Sequence, residues 1–343
     1  MAARSNIERM WYGTERPLWL APFSFLYGAV MSLRGLLYRV GLRHRVRVAA
    51  PVVVVGNLTV GGTGKTPLVA WLSTQLAATG AKVAVVSRGY GGRVRGVQRV
   101  TLHSRPSEVG DEPLLLARRA QATVFIGRDR VAAARAAVDD KADVILCDDG
   151  LQHLALKRDC EIVVIDGQRG FGNGCRLPRG PLRESTRRLR RVNAVVVNGS
   201  ITRPGFALPN FVKGTHFTMR MRPGDARPVA GSGALRALAS FRGAGVHAVA
   251  AIGNPQRFFD MLREAGLTLY EHPMPDHHPF KPGDLNFGDA LPILMTEKDA
   301  VKCAAFADDR CWYVPVTAEF DETESRQLVD LVLARIEAFH KHG

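Results

Sequence analysis

At 343 residues, with 46% hydrophobic but only 7% aromatic side chains, the chain has the size and apolar content of a soluble α/β body of one elaborated domain or two. Its 47 lysines and arginines against 32 acids leave a net charge of +15, which predicts an acidic partner: nucleic acid, anionic lipid or a phosphorylated substrate. Cys147, Cys160, Cys175, Cys303 and Cys311 stand singly, with no Cys-x-x-Cys pair, which argues against a zinc site or a disulfide framework and for reduced thiols in a cytosolic setting.

Residues 17–33 carry no charge and include Trp19, Phe23, Phe25 and Tyr27, at the short limit for crossing a bilayer. Arg4, Glu8, Arg9, Glu15 and Arg16 precede this run and no small-residue cleavage site follows, unlike a signal peptide. Arg34, Arg39, Arg43, His44, Arg45 and Arg47 come next, suited to anionic headgroups on the cytoplasmic side. Residues 1–47 therefore read as a membrane-anchoring helix with a basic flank. The alternative is a hydrophobic helix packed on the body.

Val52-Val53-Val54-Val55 makes a buried strand, and 67–72 a helix with Pro67 in its first turn. Between them run Thr59, Val60, Gly61, Gly62, Thr63, Gly64, Lys65 and Thr66, a glycine-rich turn whose N–H groups can cradle an anion at a helix N-terminus. Lys65 is expected to reach the β- and γ-phosphates, and the Thr66 hydroxyl to ligate Mg²⁺. Thr59 stands where the general phosphate-loop pattern has glycine.

Further strands are expected at 82–87, 122–126, 144–147, 162–165 and 194–197, with an alanine-rich helix at 131–138. This alternation predicts a P-loop NTPase-like parallel sheet over 48–203, with ligands gathered at the carboxyl ends of its strands. Residues 204–228 are expected to be a β linker. A second, smaller α/β domain over 229–343 is expected to hold strands at 246–252, 291–295 and 312–316, a helix at 255–265 and a C-terminal helix.

Several clusters carry chemistry. Asp148 and Asp149 close an apolar strand, as a Walker B acid would, where a carboxylate can hold Mg²⁺ opposite Thr66; loop solvation is the plain alternative. Gly110-Asp111-Glu112-Pro113 precedes a helix expected at 114–119, whose dipole the two acidic charges alone would complement. Asp276, His277 and His278 lie between prolines, a loop whose carboxylate and imidazole could share a proton. Arg169 leads into Arg176, Arg179, Arg183, Arg187, Arg188, Arg190 and Arg191 with Glu184 as the acid among them, a patch suited to phosphate oxygens.

In order along the chain, Gly56-Asn57-Leu58-Thr59 with the phosphate loop, Ser87-Arg88-Gly89-Tyr90-Gly91, Gly110-Asp111-Glu112-Pro113, Asp148-Asp149-Gly150-Leu151-Gln152-His153, 166–174, Leu177-Pro178 to Arg183-Glu184, Gly253-Asn254-Pro255, Asp276-His277 and Thr296-Glu297-Lys298-Asp299-Ala300 together resemble the tetraacyldisaccharide 4′-kinase family, membrane-associated lipid A kinases of Gram-negative bacteria. Thr59 is the family's own residue in this loop, and residues beyond about 303 add little to the resemblance. It implies ATP- and Mg²⁺-dependent phosphorylation of the 4′-hydroxyl of an acylated glucosamine disaccharide 1-phosphate. It further implies Asp111 as the base working with His277, and Thr66, Glu112, Asp148 and Asp149 organising Mg²⁺ and the phosphates, with Lys65. Arg169, Asn173 and Arg176 are expected at the lipid substrate. The implied setting is the anionic cytoplasmic face of the bacterial inner membrane, with no nucleic acid and no protein partner. A partitioning ATPase would carry lysine where Val60 stands, and no aromatic-interleaved module for nucleic acid is present.

Overall fold

A computed structural model describes residues 6–13, 16–212, 216–231 and 233–342. Helix α1 (Asn6–Tyr12) is followed by a 3₁₀ turn (Leu18–Leu20) and helix α2 (Ala21–Arg39). The first body then runs β1 (Val52–Gly56), α3 (Lys65–Ala78), β2 (Val83–Ser87), β3 (Gln98–Val100), α4 (Pro106–Val109), α5 (Asp111–Arg119), β4 (Thr123–Ile126), α6 (Arg130–Asp139), β5 (Val144–Asp148), β6 (Cys160–Asp166), β7 (Ala194–Asn198) and β8 (His216–Pro223). The second comprises β9 (Arg227–Pro228), β10 (Gly245–Ala250), α7 (Pro255–Glu264), β11 (Thr268–Pro273), β12 (Ile293–Thr296), α8 (Glu297–Cys303) and β13 (Cys311–Val314). Strand β14 (Val316–Glu319) and helix α9 (Glu322–His342) end the described chain.

The larger sheet has nine strands in the order β14-β8-β7-β6-β1-β5-β2-β4-β3. Pairing is parallel from β8 through to β4, with β3 and β14 antiparallel at the edges. Strands β1, β2, β5, β6 and β7 are buried along their whole length, which is why they read as unbroken β-branched runs rather than alternating ones. One face packs Leu68, Leu72 and Leu76 of α3; the other packs Ala133, Ala134 and Ala137 of α6. The parallel arrangement brings Gly56, Ser87, Ile126, Asp148, Asp166 and Asn198 to strand ends on a common edge. The smaller sheet, β11-β10-β12-β13-β9, buries Phe258, Phe259 and Leu262 of α7.

Two expectations about the chain's division differ from these pairings. The region 204–228, expected to be a linker, supplies β8, which pairs with β7 and buries Phe217 and Met219. The C-terminal helix, expected in the second domain, belongs with the first: β14 pairs with β8, and Leu328 and Val332 of α9 enter the core beside α3. The apolar face of α9 covers one side of the large sheet, so the smaller unit is an insertion between β8 and β14.

Helix α2 stands apart from both cores. Leu18, Trp19, Phe23, Phe25, Leu26, Val30 and Leu33 are exposed around it, and Phe25 reaches 80%. Its inner side is held by polar contacts: Ser24 Oγ donates to the Arg176 carbonyl (2.9 Å) and Tyr27 Oη to that of Arg183 (3.2 Å). With 11% of its most apolar window buried, it is not packed as a core helix would be.

Candidate active site

The phosphate loop leaves β1 at Gly56 and enters α3 at Lys65. Gly64 has φ +94°, and a Cβ there would lie 2.4 Å from Asn198 Nδ2, so glycine is required twice over. Asn198 Nδ2 in turn donates to the Thr63 carbonyl (3.0 Å). Thr59 forms an antiparallel bridge with Leu182, an ordinary strand-like position that needs no glycine. Asn57 Oδ1, Thr63 Oγ1 and Asp148 Oδ1 are buried here without a hydrogen-bond partner.

Thr66 Oγ1 donates to Asp148 Oδ2 across 3.4 Å. Asp149, at φ +50°, takes Arg183 Nη1 at 3.0 Å and Lys65 Nζ at 3.7 Å. The adjacent acids diverge. Burial, with the charge of Glu112 added, pushes Asp148 up to about 7. For Asp149, Lys65 and Arg183 outweigh burial and pull it down to about 2. Buried Arg130, which the sequence did not single out, donates to the Asp148 carbonyl (3.1 Å).

The first turn of α5 faces the second body. Asp111, 6% exposed, accepts the Glu112 N–H on Oδ1 (2.9 Å), and its Oδ2 lies 3.1 Å from His277 Nδ1. His277 sits at φ +60° just beyond the end of β11, and the Tyr90 ring lies 4.9 Å from its own. His278 turns away to Asp284 (2.9 Å), so His277 is the histidine that meets Asp111. Asp111 is held below the usual carboxylate range: burial opposes this, but the bond to His277 and the charges of Lys298 and Lys302 prevail. The same hydrogen bond raises His277.

Lys298, on α8, belongs to the Thr296–Ala300 motif, and the sequence alone gives it no role. Its Nζ lies 3.0 Å from Glu112 Oε1, 3.3 Å from His277 Nε2 and 3.5 Å from Asp276. Lys302 one helical turn on lies 3.8 Å from Asp111 Oδ2. Lys298 and Lys302 share one helix face directly after an apolar strand, a spacing that marks the face but not the acids it meets.

The two bodies meet closely. A Cβ on Gly253 would sit 2.4 Å from the Gly62 nitrogen of the phosphate loop. Asp166, 2% exposed, accepts from Arg257 (3.0 Å) and Asn254 (3.3 Å), and Arg119 pairs with Glu297.

The residues expected at the lipid substrate are not gathered at one point. Arg169 Nη1 donates to the Gly253 carbonyl (2.6 Å), on the seam beside the phosphate loop. Asn173 is committed to its own loop, donating to the Met10 and Arg179 carbonyls and accepting the Cys175 N–H. Arg176 lies against Gly28 of α2. The arginine patch is also less bare than its local sequence: Arg183 pairs with Asp149 and Arg188 with Glu161 and Glu184. Two of those acids lie outside the arginine-rich segment, which is why counting charges there overstated the surplus.

The family model for tetraacyldisaccharide-1-P 4′-kinase (LpxK) matches residues 16–336, continuing past the last sequence motif. A tetraacyldisaccharide 4′-kinase of Methylobacillus flagellatus is 47% identical over 333 residues, 96% of this chain and 95% of that protein. One from Alkalilimnicola ehrlichii is 50% identical over 318 residues, 92% of each. A crystal structure of LpxK from Aquifex aeolicus in complex with ATP superposes with a TM-score of 0.75 at 26% identity, covering 93% of this chain and 99% of that one. The chain belongs to the tetraacyldisaccharide 4′-kinase family.

Proposed function

We propose that this protein moves the γ-phosphoryl group of ATP to the 4′-hydroxyl of a tetraacylated glucosamine disaccharide 1-phosphate, working at the cytoplasmic face of a bacterial inner membrane. The observation that carries the reading is the meeting of a phosphate loop, a buried strand-end acid and an Asp111–His277 pair at one seam. In the transfer the sugar oxygen bonds to the γ-phosphorus, the bridging bond to the β-phosphate breaks, and the hydroxyl proton goes to a base. We assign that base to His277 Nε2 rather than to Asp111, whose two oxygens already accept from Glu112 and His277. Asp111 then orients the ring and supports its protonated form, as in an Asp–His pair of a hydrolase. Lys65 and the loop N–H groups would hold the β- and γ-phosphates.

The donor set fits Mg²⁺. Asp148 Oδ1 is buried without a partner, Thr66 Oγ1 is beside Oδ2, and Glu112 is near enough to raise Asp148. Among the described residues no three His, Cys, Asp or Glu side chains form a cage; Mg²⁺ shared between phosphates and one or two carboxylates needs none. When bound it would neutralise charge developing on the phosphate oxygens.

Helix α2, with its exposed apolar residues followed by Arg43, Arg45 and Arg47, suits an anionic bilayer surface. Arg169 and Arg176 are proposed to serve the acidic headgroup, and Asn173 to shape the loop that carries them. The test is transfer of radiolabelled phosphate from γ-labelled ATP to a tetraacyldisaccharide 1-phosphate in detergent. Labelling that needs both protein and lipid is expected, and its absence in the intact protein refutes the proposal.

A further inference from the structure

Lys298 is too well connected to be a passive surface charge. Its side chain is 12% exposed and lies at the junction of the two bodies, with Glu112 and Asp111 on one side and Asp276 and His277 on the other. An ammonium has three N–H donors and no acceptor. At 3.3 Å from His277 Nε2 it can only donate, so Nε2 carries a lone pair and the ring proton is on Nδ1, directed at Asp111 Oδ2.

We propose that Lys298 is a positioning residue: together with Asp111 it holds His277 in the Nδ1–H tautomer, and it covers Nε2 until an acceptor hydroxyl displaces it. This rests on the reading of His277 as the proton acceptor. Two consequences follow from charge alone. Proton uptake at Nε2 and departure of the ammonium are coupled, because two donors cannot face each other at that distance. Water is also kept from the base while the lipid is absent, which protects ATP from idle hydrolysis. The groups facing His277 are Asp111 from α5, Lys298 from α8, Asp276 from its own loop and the Tyr90 ring; Glu112 and Lys302 act one step removed, through Lys298 and Asp111. Removing the Lys298 cation makes imidazolium easier to form, so the acid limb of the pH profile moves to higher pH.

The test is ¹⁵N-histidine NMR of the full-length protein in detergent without lipid, with His277→Gln used to assign the signal. The wild-type ring is expected as the Nδ1–H tautomer; a ring found as Nε2–H overturns the proposal without any further variant. In Lys298→Met the Nδ1–H form is expected to remain, held by Asp111, while the ring titrates at higher pH than in wild type, and Lys298→Arg is expected to restore the wild-type titration. Lys298→Met should also raise lipid-free ATP hydrolysis severalfold and shift the acid limb of kcat/KM for lipid upward by about one unit. An unchanged His277 titration together with unchanged lipid-free ATP hydrolysis in Lys298→Met overturns the capping role even where lipid phosphorylation falls. Full lipid phosphorylation by His277→Ala would instead sink the underlying base assignment, leaving the tautomer result to stand or fall by itself.

Discussion

The phosphate loop draws its groups from one short segment and fixes them largely through backbone contacts, as in Val60 N–H to Pro181 and Asn198 to Thr63. The acceptor side is assembled from side chains 166 and 186 residues apart, joined by Asp111–His277 and Lys298–Glu112. The first can form within one body. The second exists only when two bodies touch, so its geometry depends on every contact along the seam. This difference implies that nucleotide binding and phosphoryl transfer can be separated by mutation, with transfer the more fragile of the two.

The largest separation is expected from His277→Ala. With His277 as the proposed general base, its loss is expected to cost about 10² to 10⁴ in rate, while the nucleotide side keeps all its groups. Equilibrium binding of an ATP analogue should therefore be unchanged as lipid phosphorylation collapses. Coincident loss of both would mean that the two sides are not independent.

Gly253→Ala strikes the seam itself. The added methyl would lie 2.4 Å from the Gly62 nitrogen, a contact between backbones that neither side can relieve by rotating a side chain. The bodies must part, and a displacement near 1 Å can cost about 10²-fold in transfer. Lipid kcat/KM should fall by that order with the thermal midpoint little changed.

Phe25→Glu lies outside both sides of the cleft. Phe25 is 80% exposed on α2, so folding should be indifferent to it. Removing an apolar group from the bilayer costs about 2 kcal/mol, roughly thirtyfold in partitioning onto anionic vesicles. Co-sedimentation measures it; unaltered vesicle binding would remove α2 from the proposed membrane contact.

The same contrast explains what could be read before the fold was known. Val52–Val55, the loop to Thr66 and Asp148–Asp149 are contiguous signals, because strand, anion cradle and strand-end acid are local consequences of local residues. Asp111 and Glu112 looked like an ordinary helix start, and His277 like a loop histidine. Their meaning lies in a contact that no spacing along the chain encodes, and only resemblance to a family suggested it. Lys298 and Arg130 were missed for the same reason. The arginine segment misled in the opposite direction, since Asp149, just past β5, and Glu161 on β6 neutralise it from outside the segment.

The smallest effect is one of pH on the nucleotide side. Burial and Glu112 raise Asp148 to about 7, so the folded, metal-free protein holds a proton there that the unfolded chain releases near the ordinary carboxylate value. A raised carboxylate favours the folded state at low pH, and that advantage is lost as pH rises toward 7. The Mg²⁺ site proposed at Asp148 requires the ionised form, so apparent Mg²⁺ affinity should fall about tenfold per unit below pH 7 and level off above it. Asp149, held near 2, stays charged throughout this window and adds no slope. Nucleotide phosphates also titrate near neutrality, which makes Asp148→Asn the necessary comparison. Calorimetry of Mg²⁺–nucleotide binding in buffers of different ionisation enthalpy should show wild type releasing about one proton more than the variant at pH 6, with no difference at pH 8.5. Equal proton release at both pH values would place the metal away from Asp148.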